Sequence, residues 1–234
     1  RCADEHLSGH RRSLAFWDIL RHSRDDAAVC WDLSAGPMPE RPEDWESRAM
    51  RVGHGLHCVD ELFARVSQMG PIAQGLSALV TPPAWIVQSA VVYKQARSNI
   101  VQFGLHQDAA YLTTEPESLV LAFLALDDMD ATNGALAVVP GSHREPLHVA
   151  LALGSEGFYP VSGKPRPERD YEPVLLPMRR GTVAFVHGRT LHASGPNHSH
   201  GPRRALIVHV MSGTSHLLPN TWIEPPAAGF PSIT

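Results

Sequence analysis

The chain has 234 residues, of which 43% are hydrophobic and 19% charged, so it can form a core and is not a disordered chain. This length allows one large domain or two small ones. A net charge of −4 without a Lys/Arg run argues against a nucleic-acid surface, and three cysteines without a CxxC pair argue against a disulfide scaffold or a cysteine-based zinc site.

Two helical patterns occupy the first 80 residues. Apolar side chains recur at roughly helical spacing over residues 14–20 and again over 59–66. Asp60 lies at the start of the second pattern, where a helix N-terminus favours a carboxylate. A proline-rich loop is predicted between the two patterns, at residues 36–42. We therefore expect the segment 1–80 to be mainly helical.

Residues 66–93 contain no charged side chain, and this length could cross a membrane. However, prolines and glycines interrupt the stretch, among them Pro71, Pro82 and Pro83. We interpret it as a helix end, a turn and a buried strand, and we expect no membrane contact. Because no signal peptide is visible, we expect a cytoplasmic protein.

Short apolar runs follow Pro83, separated by Gly, Pro, Asn and Asp. Their spacing is typical of an antiparallel sandwich or barrel rather than of βαβ units. The predicted strands are 85–93, 118–126, 135–139, 174–176, 182–187 and 205–211. A charged, proline-rich segment at 163–173 interrupts them and is predicted to be a mobile loop. We predict one mainly β domain over 1–234: a jelly roll over 84–215, with N-terminal helices packed on it and a C-terminal tail over 216–234.

His106 and Asp108 form the most informative pair in the sequence. Residues two apart in a strand point to the same face, so their imidazole and carboxylate lie side by side. They would form part of a 2-His-1-carboxylate triad, which suits non-haem Fe(II) and leaves coordination positions open. His192, which follows the predicted strand 182–187, is the best candidate for the third ligand, with His187 and His198 as alternatives.

Arg203 follows His192 by eleven residues, at the start of the last apolar run. A fixed guanidinium near such a metal can hold a dicarboxylate by a bidentate contact. Strand alternation lets only one of Arg203 and Arg204 face the interior. Arg203 shares a mixed polar and apolar face, which suits a pocket, whereas Arg204 shares an apolar face. The mixed face holds Ala205, Ile207, His209 and Met211.

The motifs around these residues resemble the phytanoyl-CoA dioxygenase (PhyH) family of Fe(II)/2-oxoglutarate oxygenases. The resemblance rests on LHQD at 105–108, NGALAVVPGSH at 133–143, and His192 with SGPN at 194–197 and Arg203. Other segments are similar to the domain-containing protein 1 branch of the family, so the likeness runs from about residue 50 to the C-terminus. These segments are VGHGLH at 52–57 with Asp60, VQS at 87–89, YKQ at 93–95 and the tail at 222–231.

The resemblance implies a double-stranded β-helix in which His106, Asp108 and His192 hold Fe(II). It also implies 2-oxoglutarate as a cosubstrate that chelates the iron, and O₂ as the second cosubstrate. The distal carboxylate of 2-oxoglutarate would pair with Arg203. The other residues implied in binding the cosubstrate are Ser194, near that carboxylate, and Gln88, lining the same pocket.

Two departures from the family pattern predict a differently shaped pocket. A Trp that flanks the cosubstrate in some members aligns with Leu124, which would leave no aromatic side chain there. The usual Lys-Pro-Pro is Lys94-Gln95-Ala96 in this chain. For these reasons we do not infer acyl-CoA substrates for this protein from the resemblance.

Two functional classes fit these residues. The leading hypothesis is an Fe(II)/2-oxoglutarate-dependent oxygenase that hydroxylates or oxidatively cyclises a small, polar molecule. The alternative is a non-catalytic metal-binding jelly roll that binds a ligand. Arg203 favours the enzyme, since a plain metal-binding barrel needs no anchor for 2-oxoglutarate, and Asp108 favours oxygenation over halogenation.

The abundance of Ala, Pro and Arg hints at a bacterial enzyme, which by analogy would modify a secondary metabolite such as a sugar-containing antibiotic intermediate. The oligomeric state and the roles of His54 and His57 stay open at this stage.

Overall fold

The computed structural model describes residues 2–3, 23–31, 40–41, 44–98, 103–154, 157–219 and 221–233. The helical pattern predicted at 14–20 and most of the loop predicted at 36–42 lie outside the described residues. The α-helices in the described part are α1 (Leu56–Val59), α2 (Glu61–Ser67) and α3 (Gly70–Leu79). Short 3₁₀ turns lie at Ser23–Asp25, Asp108–Ala110 and Ser142–Arg144.

Strands make up most of the regular structure. They are β1 (Cys2–Ala3), β2 (Val29–Trp31), β3 (Ala49–His54), β4 (Ala84–Lys94), β5 (Phe103–His106), β6 (Thr114–Glu115), β7 (Val120–Ala125), β8 (Leu136–Val138), β9 (Ala150–Gly154), β10 (Gly157–Ser162), β11 (Val174–Leu175), β12 (Val183–His187), β13 (His192–Ser194), β14 (Arg203–Ser212), β15 (His216–Leu217) and β16 (Ser232–Ile233).

The chain alternates between two sheets. The main sheet has the order β1-β2-β3-β4-β14-β7-β12, with β16 pairing on β4, and the smaller sheet has the order β11-β8-β13-β5. From β4 onward, strands β4, β7, β12 and β14 lie in the main sheet, and strands β5, β8, β11 and β13 lie in the smaller sheet. Strands β9 and β10 form a separate hairpin, and β15 pairs with β6. This topology confirms the prediction of a mainly β, double-stranded β-helix.

The space between the two sheets is filled by apolar side chains from both. The adjacent strands β4, β14 and β7 each contribute alternate residues, as expected where one face of each strand is turned to the core. This interior cluster includes Ala90, Val92, Leu121, Phe123, Leu136, Val186, Ala205 and Ile207. The polar residues described below lie on the same interior face.

The helices cover the opposite face of the main sheet, as predicted. Asp60 caps α2, because its carboxylate accepts hydrogen bonds from the backbone N–H groups of Leu62 and Phe63, at 2.9 and 3.1 Å. Helix α3 buries Ile72 and Leu76 against outward-facing residues of the main sheet. No helix in the described ranges is both long and apolar enough to cross a membrane.

The prediction that residues 1–80 are mainly helical is wrong for part of the described segment. Strand β3 pairs with β4, and β2 pairs with β3, so both extend the main sheet. Their short sequences lack a strong alternating pattern, and their conformation follows from pairing with the edge of β4. The stretch 66–93 also contains a whole additional helix, α3, before the predicted buried strand. The tail at 216–234 contributes β15 and β16.

Helix α3 approaches β12 so closely that one position requires glycine. A Cβ added at Gly75 would overlap the ring of Phe185, whereas one added at Gly70, in the same helix, would meet only Gln74 Nε2 at 4.0 Å. The close approach of the helix to the sheet therefore depends on the missing side chain.

We expect Gly75→Ala to destabilise the protein. Alanine gains about 1 kcal/mol in helix propensity, but overpacking against Phe185 costs about 1–3 kcal/mol. Gly70→Ala, as the matched control, should be neutral or slightly stabilising. Urea unfolding of both variants measures the difference. Equal stabilisation by the two substitutions would contradict this close packing.

Candidate active site

Three side chains with metal-ligating atoms converge between the ends of two strands. His106 ends β5, Asp108 begins the 3₁₀ turn that follows, and His192 begins β13. Strands β13 and β5 pair with His192 directly opposite His106. The ligand atoms of the three residues all lie within 4.8 Å of one another.

The two histidines are oriented by the backbone. Nδ1–H of His106 donates to the carbonyl of Gly104 at 2.7 Å, and Nδ1–H of His192 donates to that of Thr190 at 2.9 Å. Because a carbonyl can only accept, each neutral ring keeps its lone pair on Nε2. These Nε2 atoms lie 3.5 and 3.6 Å from Oδ1 of Asp108. This is the arrangement in which outer hydrogen bonds fix metal-binding imidazoles.

His209, which sequence reasoning did not single out as a site residue, holds the carboxylate. Nε2–H of His209, on β14, donates to Oδ2 of Asp108 at 3.1 Å, so Oδ1 is the oxygen nearer the other two histidines. Burial raises the pKa of Asp108, but His192 and His209 outweigh this effect and hold it well below its usual range. The available signal was the position of His209 on the mixed face of the last strand.

A second polar cluster contains two buried cations. Arg203 is 1% exposed and donates from Nη2 to the carbonyl of Gly134 at 2.6 Å. Lys94 lies directly opposite it on β4 and donates from Nζ to the carbonyl of Gly195 at 2.6 Å. Burial, with a contribution from Arg203, lowers the pKa of Lys94 to about 7. Burial also lowers the pKa of Arg203 to about 10.

Arg204 lies on the opposite face, as strand alternation predicts. Its guanidinium is partly exposed and contacts Asp127 at 2.9 Å and Glu46 at 2.7 Å. Arg203, by contrast, makes no ion pair among the described residues, and its buried Nε has no hydrogen-bond partner. Two adjacent cations, one of which has a donor without a hydrogen-bond partner, are suited to binding an anion. Sequence analysis named Lys94 in the YKQ segment and in the altered Lys-Pro-Pro motif, and gave it no role in binding.

The NGAL motif supplies one wall of this cation pocket. Gly134 has a φ of +76°, and an added Cβ there would lie 2.5 Å from the carbonyl oxygen of Gly195 and 2.9 Å from Cδ of Lys94. Only glycine combines this backbone conformation with such close neighbours. Gly134 therefore allows its own carbonyl to reach Arg203.

The remaining predicted site residues are Ser194 and Gln88. Ser194 is buried on β13, two residues beyond His192, and its carbonyl lies 3.4 Å from Nζ of Lys94. Gln88 is buried on β4 directly opposite His209. Neither Oε1 nor Nε2 of Gln88 has a hydrogen-bond partner.

The structure corrects the expected loss of an aromatic residue at position 124. Leu124 points away from the interior and packs in the cluster beneath the helices. Its neighbour Phe123 points inward, opposite Ile207 on β14. A shift of one residue along a strand exchanges the two faces, so the interior does have an aromatic side chain on this strand.

The other histidines stay outside the metal-competent cluster of the described residues. His57 bonds to Ser89 Oγ through Nδ1 at 2.7 Å, and burial lowers its pKa to about 4. His54 stacks on Trp222 at 4.8 Å between ring centroids. Nδ1 of His187 accepts a hydrogen bond from the backbone N–H of Arg189 at 3.1 Å, and the backbone N–H of His198 donates to the carbonyl of Thr132.

An aromatic wall begins beside His106. The ring of Tyr111 lies 6.2 Å from that of His106, and Trp222 and Phe158 lie 5.7 and 5.2 Å from Tyr111. Within the predicted loop 163–173, Nη1 of Arg166 lies 3.5 Å from the carbonyl of Leu105, next to His106. Aromatic and polar groups therefore both border the metal ligands.

Comparison with known proteins identifies the family of this chain. The profile of the phytanoyl-CoA dioxygenase (PhyH) family matches residues 37–205, more than half of the sequence. The chain belongs to the PhyH family.

Curated relatives are about 30% identical to it over the aligned segments. It is 30% identical over 194 residues to phytanoyl-CoA dioxygenase domain-containing protein 1 of Mus musculus, covering 80% of this chain and 66% of that protein. It is 32% identical over 164 residues to phytanoyl-CoA dioxygenase 1 of Oryza sativa subsp. japonica, covering 69% and 57%. The chain thus spans just under two thirds of the mouse relative and less of the rice one.

Solved structures show the same fold at low sequence identity. The epimerase SnoN, in complex with Fe3+, alpha ketoglutarate and nogalamycin RO, is 21% identical with a TM-score of 0.66, covering 94% of this chain and 88% of that one. The carbocyclase SnoK from nogalamycin biosynthesis is 21% identical with a TM-score of 0.62, covering 79% and 75%.

We expect His106→Ala, Asp108→Ala and His192→Ala each to lower Fe(II) affinity by at least about 100-fold, because even outer hydrogen-bond partners of metal ligands contribute about 10–100-fold. Anaerobic Fe(II) titration measures this, with circular dichroism to verify folding. His187→Ala and His198→Ala are the controls and should bind as the wild type does. Wild-type binding by His192→Ala, together with loss in either control, would contradict the ligand set.

Proposed function

We propose that this member of the PhyH family is an Fe(II)- and 2-oxoglutarate-dependent oxygenase that hydroxylates or oxidatively cyclises a small molecule. The single observation that carries the proposal is the presence of two sites in the interior: a metal-competent triad on β5, β13 and the turn after β5, and a buried cation pair on β4 and β14 of the main sheet. The metal site alone would equally suit the non-catalytic alternative. The cation pair favours the enzyme, because it matches a cosubstrate with a second carboxylate.

The triad would hold the iron through Nε2 of His106, Oδ1 of Asp108 and Nε2 of His192. The donor set fits this metal, since two imidazoles and one carboxylate leave coordination positions open. The hydrogen bonds to Gly104, Thr190 and His209 already orient all three ligands. Little reorganisation is then needed when the metal binds.

The cation pair would hold the distal carboxylate of 2-oxoglutarate. Arg203 offers its unpartnered Nε and Lys94 its ammonium, while Ser194 lies beside them on β13. In this role an anion would relieve the repulsion between two desolvated cations. When bound, iron with 2-oxoglutarate and O₂ supplies the chemistry that converts a C–H bond to C–OH with release of succinate and CO₂.

The chain's own groups then position the substrate and exclude water. The aromatic wall of Tyr111, Phe158 and Trp222 borders the metal ligands and would hold a ring or another flat surface. Arg166 adds a polar contact at the same edge. These features support a polar ring-containing substrate rather than a linear acyl chain. Similarity to SnoN, which was solved in complex with nogalamycin RO, and to SnoK from nogalamycin biosynthesis supports a bacterial secondary metabolite such as a sugar-containing antibiotic intermediate.

The proposal is tested by succinate formation from 2-oxoglutarate with added Fe(II). We expect Arg203→Ala to raise the KM for 2-oxoglutarate by about 100-fold or more, because removing one partner of a buried charge pair costs about 3–5 kcal/mol. Arg204→Ala is the matched control, since its pairing with Asp127 is on the outer face, and its KM should stay near the wild-type value. Equal effects of the two substitutions would contradict the assignment, and no Fe(II)-dependent succinate from the wild type would overturn the proposed function.

Binding of 2-oxoglutarate should weaken as the pH rises above 7. Below its pKa of about 7 Lys94 is a cation, whereas above it the free enzyme must take up a proton to present one. The dissociation constant should therefore rise by up to about tenfold per pH unit in this range. Arg203 stays charged throughout, because its pKa is about 10.

Calorimetric titration between pH 6 and 8.5 measures this dependence. Lys94→Met should bind more weakly at pH 6 and show a flat profile. A profile in Lys94→Met that parallels the wild type would show that another group titrates.

A further inference from the structure

The charged, proline-rich segment 163–173 crosses the metal end of the smaller sheet. Four residues in register form one row across that end: Val174 on β11, Val138 on β8, His192 on β13 and His106 on β5. The row is about 14 Å wide, because neighbouring strands lie about 4.8 Å apart. The segment ends next to Val174 at one edge, and its Arg166 reaches the carbonyl of Leu105 at the other. We call residues 163–173 the strap.

The strap is fastened to the loop before β9, chiefly through Glu145. The carboxylate of Glu145 accepts hydrogen bonds from the hydroxyl of Tyr171 at 2.9 Å and from Nε2–H of His148 at 3.0 Å, and it pairs with the guanidinium of Arg169. Burial raises the pKa of Glu145, but these three partners outweigh it and hold the pKa below its usual range. The backbone N–H of Lys164 donates to the carbonyl of Leu147 at 3.0 Å. The strap is therefore held at its start and near its end.

This fastening neutralises one arginine of the strap and not the other. The guanidinium carbons of Arg169 and Arg166 lie 4.7 and 5.7 Å from the ring centroid of Tyr171. Arg169 pairs with Glu145, whereas Arg166 makes no ion pair within the part of the chain that the structure describes. Its one hydrogen bond to a described residue is the long contact from Nη1 to Leu105, at 3.5 Å. Arg166 is thus a positioned cation without a counter-charge, one residue from the metal-competent His106.

The chemistry of Arg166 defines the group that would complement it. A guanidinium carries five N–H donors in a fixed planar fork, and most of those of Arg166 are unused. Such a fork matches the paired oxygens of a carboxylate or of a phosphate ester. A neutral hydroxyl would leave the charge uncompensated. The aromatic wall that begins at Tyr111 borders the same metal ligand, so a ring and an anionic group can be held side by side.

We infer that Arg166 is a specificity-determining residue that pairs with an anionic group on the ring-containing substrate, and that the strap fastened at Glu145 holds it at the rim of the metal site. The anionic group is a carboxylate or a phosphate ester. This inference rests on the proposed function and specifies the substrate class.

The charge selection is tested by calorimetry under anaerobic conditions on protein saturated with Fe(II) and 2-oxoglutarate, so that the triad and the cation pair are occupied. The probes are benzoate, its neutral isostere benzamide, and phenyl phosphate. The wild type should bind at least one of the two anions about 5–10-fold more tightly than benzamide, since the contact is charge-assisted but partly exposed. Which anion is preferred distinguishes a carboxylate from a phosphate ester.

Arg166→Gln should abolish this preference for an anion, and Arg166→Lys should keep part of it, because lysine retains the charge without the planar fork. Arg65→Gln is the matched control. It removes the same charge from an exposed position on α2, on the other side of the main sheet, and should keep the full preference.

Equal preference in the wild type and Arg166→Gln would overturn the inference, as would a wild type that binds neither anion more tightly than benzamide. Failure of the wild type to bind 2-oxoglutarate would instead count against the proposed function. The same probes on the metal-free protein would then still compare the wild type with Arg166→Gln, so the two failures are distinguishable.

The role of the strap is tested with Tyr171→Phe, which removes one hydrogen bond to Glu145 and keeps the ring. Amide hydrogen exchange of residues 164–172 should become about threefold to tenfold faster, because one hydrogen bond of the fastening is lost. The preference for the anion should fall while benzamide affinity stays the same. Tyr159→Phe, at an exposed position on β10, is the matched control. Exchange rates or a preference that match those of this control would overturn the positioning of Arg166 by the strap.

Discussion

The antiparallel register between β14 and β4 is the constraint on which the rest of the site depends. It places Arg203 opposite Lys94 at one end and His209 opposite Gln88 at the other, with apolar pairs between them. A shift of β14 by one residue would move Arg203 and His209 to the face that packs against the helices and would separate them from Lys94 and Gln88. The long ladder, with β7 on the other side of β14, therefore specifies both the buried cation pair and the contact of His209 with Asp108.

The site keeps several groups in states that a purely structural core would avoid. Lys94 and Arg203 are desolvated next to each other, and the Gln88 amide is buried without a partner. Each of these features lowers the stability of the free protein. They coincide on one interior face beside a metal-competent triad, which is the pattern expected where ligands complete the interactions. Elsewhere on that face the side chains are apolar and well packed.

The metal-competent triad and the cation pair differ in how they are held. His106, His192 and Asp108 are each oriented by a hydrogen bond from or to a fixed neighbour, so their geometry exists before any metal binds. Arg203 has one backbone acceptor, Gly134, and an unmet Nε. A rigid triad and an incompletely satisfied cation pocket are consistent with a resident metal and an exchanging cosubstrate.

The sequence by itself determined the features that depend on neighbours along the chain. Short apolar runs predicted β4, β7 and β14, strand alternation put Arg203 rather than Arg204 inside, and Asp60 marked the start of a helix. The spacing of His106 and Asp108 predicted that they lie close together, although Asp108 lies in the 3₁₀ turn after β5 and not on the strand. Tertiary structure decided what depends on pairing between distant segments. It placed His192, rather than His187 or His198, beside His106 through the β13–β5 register, turned Phe123 rather than Leu124 inward, and made β2 and β3 strands. It also joined Lys94 to Arg203 and His209 to Asp108, about a hundred residues apart, because cross-strand partners are set by register and not by local sequence.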